Sequence, residues 1–440
     1  MLKSLFTHLR GRKKMSAPVA GNVFKEKYGH FRALLDSNAD LLKIVSEIQE
    51  KLKGEHIFGM SFVTSQATRA MFHVTRMVRG LNDLSGGRYT GFEPVLDELK
   101  AKLQALADDA APKGVGGLIL PYASVTRHMA DLVGGKSANL GEMAGAAGMP
   151  VPSGFAITTA AYDAVIEHNG LLPEIRRLGM EIDPEDTASV IRGSEAIQSL
   201  FLGAEIPETL ATEMFRAYDD LGREVGKPEP QVALRSSAIG EDSELTFAGQ
   251  YLSVLNVTRD RLLQTYKLIL ASLFTPRAMT YRLLKGIALE SEAMSVACLE
   301  MVPSVASGVM YTRHPFDPSE EGMLINGVWG LGPYAVDGVV SPDAYIVSRN
   351  TPPVYQRGEI RSKDVKLMLG EAGRLVEETV PEAEREQACL THEQAEELAA
   401  MGMTLESHFG CPQDVEWALH PDGRLRLLQS RPLQIRVDSR

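Results

Sequence analysis

Apolar residues recur at helical spacing through the first quarter of the chain. Over residues 22–109, Phe31, Leu34, Leu35, Leu41, Leu42, Val45, Ile48 and Leu52 make one run, and Phe92, Val95, Leu96, Leu99, Leu103 and Leu106 make a second. Lys and Glu fill the positions between them. The pattern predicts an all-α N-terminal domain or arm without evident chemistry. The Met-rich stretch 60–77, which carries His73, reads as core or partner-facing helix rather than a ligand set, because Met fills irregular apolar gaps. The Ala, Pro, Lys and Gly residues of 110–117 have linker composition and set a domain boundary between 117 and 118.

Past the linker the pattern changes to short strands alternating with helices. Residues 154–157 read as a strand, Thr158 or Thr159 as a helix N-cap, and 160–168 as a helix stopped by Asn169-Gly170. Further strands are predicted at 232–235, 251–257, 294–301, 308–312 and 323–329. A helix over 392–408 opens with the capping-box pair Thr391 and Gln394, ends at Gly410, and feeds a terminal hairpin.

That hairpin carries the densest chemistry in the chain. Asp414 and Glu416 stand two apart on its first strand, Gln429 and Arg431 two apart on its second, so each pair shares a face. A two-residue turn at Asp422-Gly423 sets Glu416 opposite Gln429 and Asp414 opposite Arg431. A three-residue Pro421-Asp422-Gly423 loop would slip this pairing by one unless a second irregularity restored it. Two carboxylates and an amide oxygen are hard ligands suited to Mg²⁺, and a guanidinium fork beside them suits the phosphates that Mg²⁺ bridges. An exposed hairpin with cross-strand charge pairs is the plainer alternative.

A length of 440 residues predicts two to three domains. The net charge of -11 argues against a general nucleic-acid binder, while leaving room for a local basic cleft. Cys298, Cys389 and Cys411 are far apart with no Cys-x-x-Cys, which fits a reducing cytoplasm and no cysteine metal site. Lys3, Arg10, Arg12, Lys13 and Lys14 make a basic start without a cleavage signal. No run approaches the roughly 20 apolar residues of a membrane span.

Three further segments could face phosphate or base. Gly134-Gly135-Lys136-Ser137 precedes a helix expected over 138–147, whose free N–H groups and the Lys136 ammonium would hold an anion. A P-loop is excluded, since Ala130 stands where the first glycine belongs. A Gly-Gly turn capped by Ser137 fits equally well. Arg235-Ser236-Ser237-Ala238 ends a strand and opens a polar loop through Gly240 to Gln250, which would cover phosphate or form a hairpin loop with Arg235 on a surface carboxylate. Glu300, Met301 and Val302 leave another strand, where backbone and apolar side chains could bracket a base, or simply end the strand.

Taken together and in order, these segments resemble the ATP-binding N-terminal domain of the phosphoenolpyruvate synthase and pyruvate phosphate dikinase family. The matching residues are those from Gly134 to Met143, Val151-Pro152-Ser153-Gly154-Phe155, Arg235 to Ala238, Phe247-Ala248-Gly249-Gln250, Ser307 to Arg313, Trp329-Gly330-Leu331-Gly332 and the hairpin, over about 118–432. The resemblance implies an α+β, ATP-grasp fold of two lobes clasping a nucleotide. It assigns Lys136, Arg235, Ser236, Gly249, Asp414 and Arg431 to ATP, with Lys136, Arg235 and Arg431 catalytic. Glu300, Met301 and Val302 become the adenine hinge, and Glu416 with Gln429 the Mg²⁺ ligands. Pro333 stands where many relatives have an acid after Gly-Leu-Gly.

No Thr-Ser-His-like phosphohistidine motif surrounds any of the ten histidines. The resemblance therefore implies a cytoplasmic dikinase-type phosphotransferase half that needs a phosphohistidine domain or subunit as partner and a small acceptor such as pyruvate. ATP would end as AMP plus phosphate. A non-catalytic ATP-responsive module, relaying closure through the N-terminal helices, is the alternative, and a scaffold with a dead nucleotide fold is a third.

Overall fold

The structure is a computed structural model that describes residues 17–53, 60–110, 117–238, 252–284, 287, 289–317, 320–370 and 374–433. Most of the predicted linker and the polar loop 239–251, including Gly249, lie outside the described residues. The chain divides into two compact units, one taking in most of the first 111 residues and the other most of those from 112 onward.

The described part of the first unit is helical, with helices Ala17–Lys53, Met60–Ser85 and Glu93–Ala110. The first two run antiparallel. Lys27 Nζ donates to Leu84 O at 3.4 Å and His30 lies 3.4 Å from Asp83 at one end, while Glu47 accepts from Gln66 at 3.2 Å and pairs with Arg69 at 3.5 Å at the other. His73 is buried in the Met-rich helix, edge-on to Phe72 with ring centroids 5.2 Å apart. No helix among the described residues is long and apolar enough to cross a membrane.

The second unit mixes helix and sheet and is α+β. Its strands are β1 Ile119–Pro121, β2 Gly154–Ile157, β3 Val232–Ala238, β4 Ser253–Val257, β5 Met294–Glu300, β6 Ala306–Tyr311, β7 Met323–Trp329, β8 Asp343–Val347, β9 Tyr355–Glu359, β10 Val365–Leu369, β11 Leu375–Thr379, β12 Gln413–Leu419 and β13 Leu425–Pro432. They form a five-stranded sheet in the order β1-β2-β5-β3-β4, a six-stranded sheet in the order β13-β12-β6-β7-β8-β9, and the hairpin β10-β11. All strand pairs are antiparallel. One core packs helices Thr159–His168, Thr187–Gly203, Glu208–Glu224 and Leu262–Ser272 on the five-stranded sheet. The other joins helix Ala130–Gly145 and helix His392–Phe409 to the inner face of the six-stranded sheet, around the fully buried Trp417.

Local signals played out unevenly. Thr391 and Gln394 make the reciprocal capping box, and Gly410 ends that helix with φ 71°. Thr158 sits at an N-cap position, yet its hydroxyl does not cap the helix and donates instead to Gly117 O at 3.0 Å. The hairpin turn is not the two-residue turn that the register argument assumed. Leu419 pairs with Leu425, His420 N donates to Arg424 O, and Pro421-Asp422-Gly423 forms a three-residue loop with Gly423 at φ 82°. A bulge opposite the Glu416/Trp417 step then shifts the ladder by one. Past it Glu416 is paired with Gln429 and Asp414 with Arg431, as the shorter turn had required.

A buried ion pair closes the far side of the six-stranded sheet. Lys363 Nζ donates to Asp343 Oδ1 at 2.6 Å, and neither side chain is exposed. Asp343 also accepts from the backbone N–H groups of Arg361 and Cys389, each at 2.9 Å, and from Tyr345 Oη at 3.0 Å. One carboxylate on β8 thereby holds two loop segments, 361–363 and the one at Cys389.

Candidate functional site

Strand alternation gives the six-stranded sheet two faces. Val415, Met310, Ile325 and Tyr345 form the row that packs into the core, so Glu416, Val309 and Asn326, directly paired across β12, β6 and β7, lie on the opposite face. Gln429 extends that row through β13, and Arg431, Asp414 and Tyr311 form the next.

Three cations meet this face. Arg431 Nε donates to Asp414 Oδ2 at 2.9 Å, with Nη2 at 2.8 Å from the same oxygen. Arg235 Nη2, from β3 of the other sheet, donates to Glu416 Oε2 at 3.0 Å. Lys136 Nζ reaches Ser236 O at 3.4 Å. Burial pushes the Glu416 carboxyl up, but Arg235, Arg431 and Lys136 outweigh it and hold the group below its ordinary value. Asp414 goes the other way: burial raises it, Arg431 offsets only part, and the Glu416 charge adds to the rise.

Lys136 is delivered by helix Ala130–Gly145, which differs from the expected helix over 138–147. It begins earlier and is broken at Gly134, whose φ of 72° and ψ of 164° are not helical. The chain restarts as helix just before Lys136, and Ser137 N donates to Ser237 Oγ at 3.2 Å. A Cβ on Gly134 would lie 2.1 Å from Ser237 O. Gly134→Ala therefore combines backbone strain with a clash against the β3 backbone. It is expected to cost about 2–4 kcal/mol of stability and to displace Lys136, measurable by denaturant titration and by nucleotide affinity. Asn139 Nδ2 fixes the same helix to Ser430 O at 3.2 Å.

Lys136, Arg235, Asp414, Glu416, Gln429 and Arg431 thus share one region. Ser236 is fully buried on the face of β3 opposite Arg235, offering only its carbonyl to Lys136, and Ser237 occupies the Arg235 side. Tyr311, which lies within the matching segment Ser307 to Arg313, and Asn326, which no sequence feature singled out, also lie on the site face, where the register with Asp414 and Glu416 places them.

Glu300, Met301 and Val302 leave β5 some distance along β3 from Arg235. Glu300 Oε1 accepts from Ser153 N at 3.1 Å, and Met301 N donates to Gln231 O at 2.8 Å. Met301 packs with Ala233, Leu331 and Leu367, so the end of β5, the Gly330-Leu331-Gly332 loop and β10 share a small apolar cluster. Beside it opens a cleft of about 760 Å³ lined by Glu300, Met301, Tyr218, Gln231, Lys227 and Arg259, among others. The charged cluster does not line that cleft, and its side chains define the site more directly than the cavity does.

The donor set suits a magnesium ion held jointly with phosphate. Among the described residues no group of three or more His, Cys, Asp and Glu could hold a metal by itself. Mg²⁺, however, is typically bound through one or two carboxylates plus substrate oxygens.

Glu142 stabilises this region with its own pH signature. Burial pushes its carboxyl up, while His408 at 2.9 Å and the Arg127 N–H at 3.2 Å outweigh burial and hold it below the usual carboxylate value. A depressed folded-state value contributes stability above the unfolded value, lost as pH falls through the folded one. Glu142→Gln is expected to lower the melting temperature near neutral pH, and that difference from wild type should vanish in acid below the ordinary carboxylate range.

The model of the family described as pyruvate phosphate dikinase, AMP/ATP-binding domain, matches residues 130–440. The chain belongs to this family. Among family relatives, a probable phosphoenolpyruvate synthase of Methanocaldococcus jannaschii is 37% identical over 305 residues, covering 69% of this chain and 25% of the relative. The phosphoenolpyruvate synthases of Pyrococcus furiosus and Neisseria meningitidis are 35% and 36% identical, covering 71% and 68% of this chain and 43% and 40% of their own lengths. The chain thus spans a quarter to less than half of these relatives. The AMP/ATP-binding family match contains every charged residue of the cluster, from Lys136 to Arg431, and excludes the N-terminal helices.

Proposed function

We propose that this chain is the ATP-binding half of a phosphoenolpyruvate synthase-like phosphotransferase, with an ATP-grasp fold over residues 118–440 behind a helical domain over 1–117. The two main sheets are its lobes. The observation that carries the reading is the convergence of Lys136, Arg235 and Arg431 on a face bearing Asp414, Glu416 and Gln429.

Phosphoryl transfer asks chiefly for position and charge, and three cations from separate segments provide both. Lys136 and Arg235 hold phosphate oxygens, and Arg235 exchanges Glu416 for a phosphate when nucleotide enters. Asp414 aims the Arg431 fork, which offsets charge developing on the transferred group. Glu416 and Gln429 would hold Mg²⁺, which supplies further neutralising charge to the triphosphate. Glu300, Met301 and Val302 form the base hinge, and Gly249 with its loop covers the phosphates. ATP gives up two phosphoryl groups to leave AMP: a histidine on another domain or subunit takes one and passes it to a small acceptor such as pyruvate, water takes the other as inorganic phosphate, and the reaction runs in the cytoplasm.

The test is ³¹P NMR of Mg·ATP with the chain alone and with a phosphohistidine domain from a related phosphoenolpyruvate synthase. AMP and phosphate that form only when that domain is present are the expected result. Tight ATP binding with no turnover in either case would instead assign the chain as a nucleotide-responsive module.

A further inference from the structure

We propose that the N-terminal helical unit pairs with a second copy of this chain through the outer face of helix Ala17–Lys53. One face of that helix is already used: Ile44 is fully buried, and Leu34 packs near Gly80 of the antiparallel neighbour. A surface helix normally carries one apolar stripe. This one carries two.

On the second stripe Tyr28, Phe31, Leu35, Leu42 and Val45 are 58%, 49%, 49%, 60% and 43% exposed. Counted with Asn38, their spacing is three, four, three, four, three, which is a heptad seam sustained from Tyr28 to Val45. Val95, Leu99 and Leu106, spaced four and seven apart along helix Glu93–Ala110, and Phe92 in the turn just before it are also exposed.

Area and complementarity both point to a second copy as the occupant. The five side chains of the first seam expose roughly 550 Å² per copy, so a symmetric pair would cover about 1,100 Å², just past the ~1,000 Å² expected of a specific interface. A seam of period 3.5 is filled best by another of the same period, each side chain entering a hole between four others. Asn38 sharpens the choice. Against an unrelated apolar surface its amide would be buried without a partner, whereas in a parallel pair it meets Asn38 of the partner subunit.

The experiment is light scattering and sedimentation of the full chain at micromolar concentration, with and without the double substitution Leu35→Glu and Leu42→Glu. Both positions are exposed, so the fold should persist by circular dichroism. The wild type is expected to be a dimer. The double variant should dissociate at least about 100-fold more readily and run as a monomer. Asn38→Cys, in a Cys411→Ser background, should cross-link on oxidation. A monomeric wild type, a dimer indifferent to the two glutamates, or a dimer that fails to cross-link at position 38 would each overturn the proposal.

Discussion

Arg431→Ala and Glu416→Ala are each expected to lower phosphoryl transfer from ATP by at least about 100- to 1,000-fold, with little change in melting temperature. The two losses differ in cause. Arg431 is half-exposed and its partner Asp414 is the carboxyl whose ordinary value is already raised, so removing the guanidinium lets Asp414 take up a proton more readily rather than remain as a stranded charge. The fold is spared while the fork proposed to face phosphate is gone. Arg431→Lys should recover only part of the rate, because an ammonium keeps the charge but not the fixed pair of donors. Glu416→Ala frees Arg235, so ATP affinity without metal is expected to hold or rise while the metal-dependent gain in affinity disappears. Calorimetric titration of ATP with and without Mg²⁺ separates the two variants. Wild-type transfer by either one would remove these residues from the proposed mechanism.

Lys363→Met is expected to destabilise the protein by about 3–5 kcal/mol, since it leaves the Asp343 carboxylate buried without its cation. Asp343 cannot simply be neutralised at no cost, because it also accepts from two backbone N–H groups and a tyrosine hydroxyl. The double variant Lys363→Met with Asp343→Asn should recover part of the loss: the uncompensated charge is removed, but the amide oxygen can accept on only one of the two sides used by Arg361 N and Cys389 N. Urea titration followed by tryptophan fluorescence reads the right region, because Trp329 and Trp417 lie on β7 and β12 of the sheet in question. A loss below about 1 kcal/mol in the single variant would mean that the pair is not the buried anchor described above.

Much of the strand layout could be read from local pattern. The segments around Gly154, Val232, Met294, Gly308 and Met323 stood out because apolar, β-branched residues are bounded there by Gly, Pro or Ser. β9, β10 and β11 did not, since Tyr355–Glu359 and Leu375–Thr379 are largely exposed and mix charge with apolar residues, so no period marks them. The helices that cover the five-stranded sheet were likewise unassigned beyond Thr159–His168, although Glu208–Glu224 buries Leu210, Met214, Tyr218 and Leu221 at helical spacing. The hairpin register came out right for an incomplete reason. The turn holds one residue more than assumed, and a bulge several residues away cancels the slip.

What the sequence by itself determined is local: which residues alternate along β12 and β13, and where helix His392–Phe409 is capped. Such features depend on neighbours within a few positions, where backbone sterics and side-chain period act directly. Only the tertiary structure decided that Arg235 meets Glu416 across 181 positions and that Tyr311 and Asn326 join the site. Those juxtapositions are set by how two sheets pack and in what register, and that is fixed by the burial of whole faces rather than by any short stretch of chain.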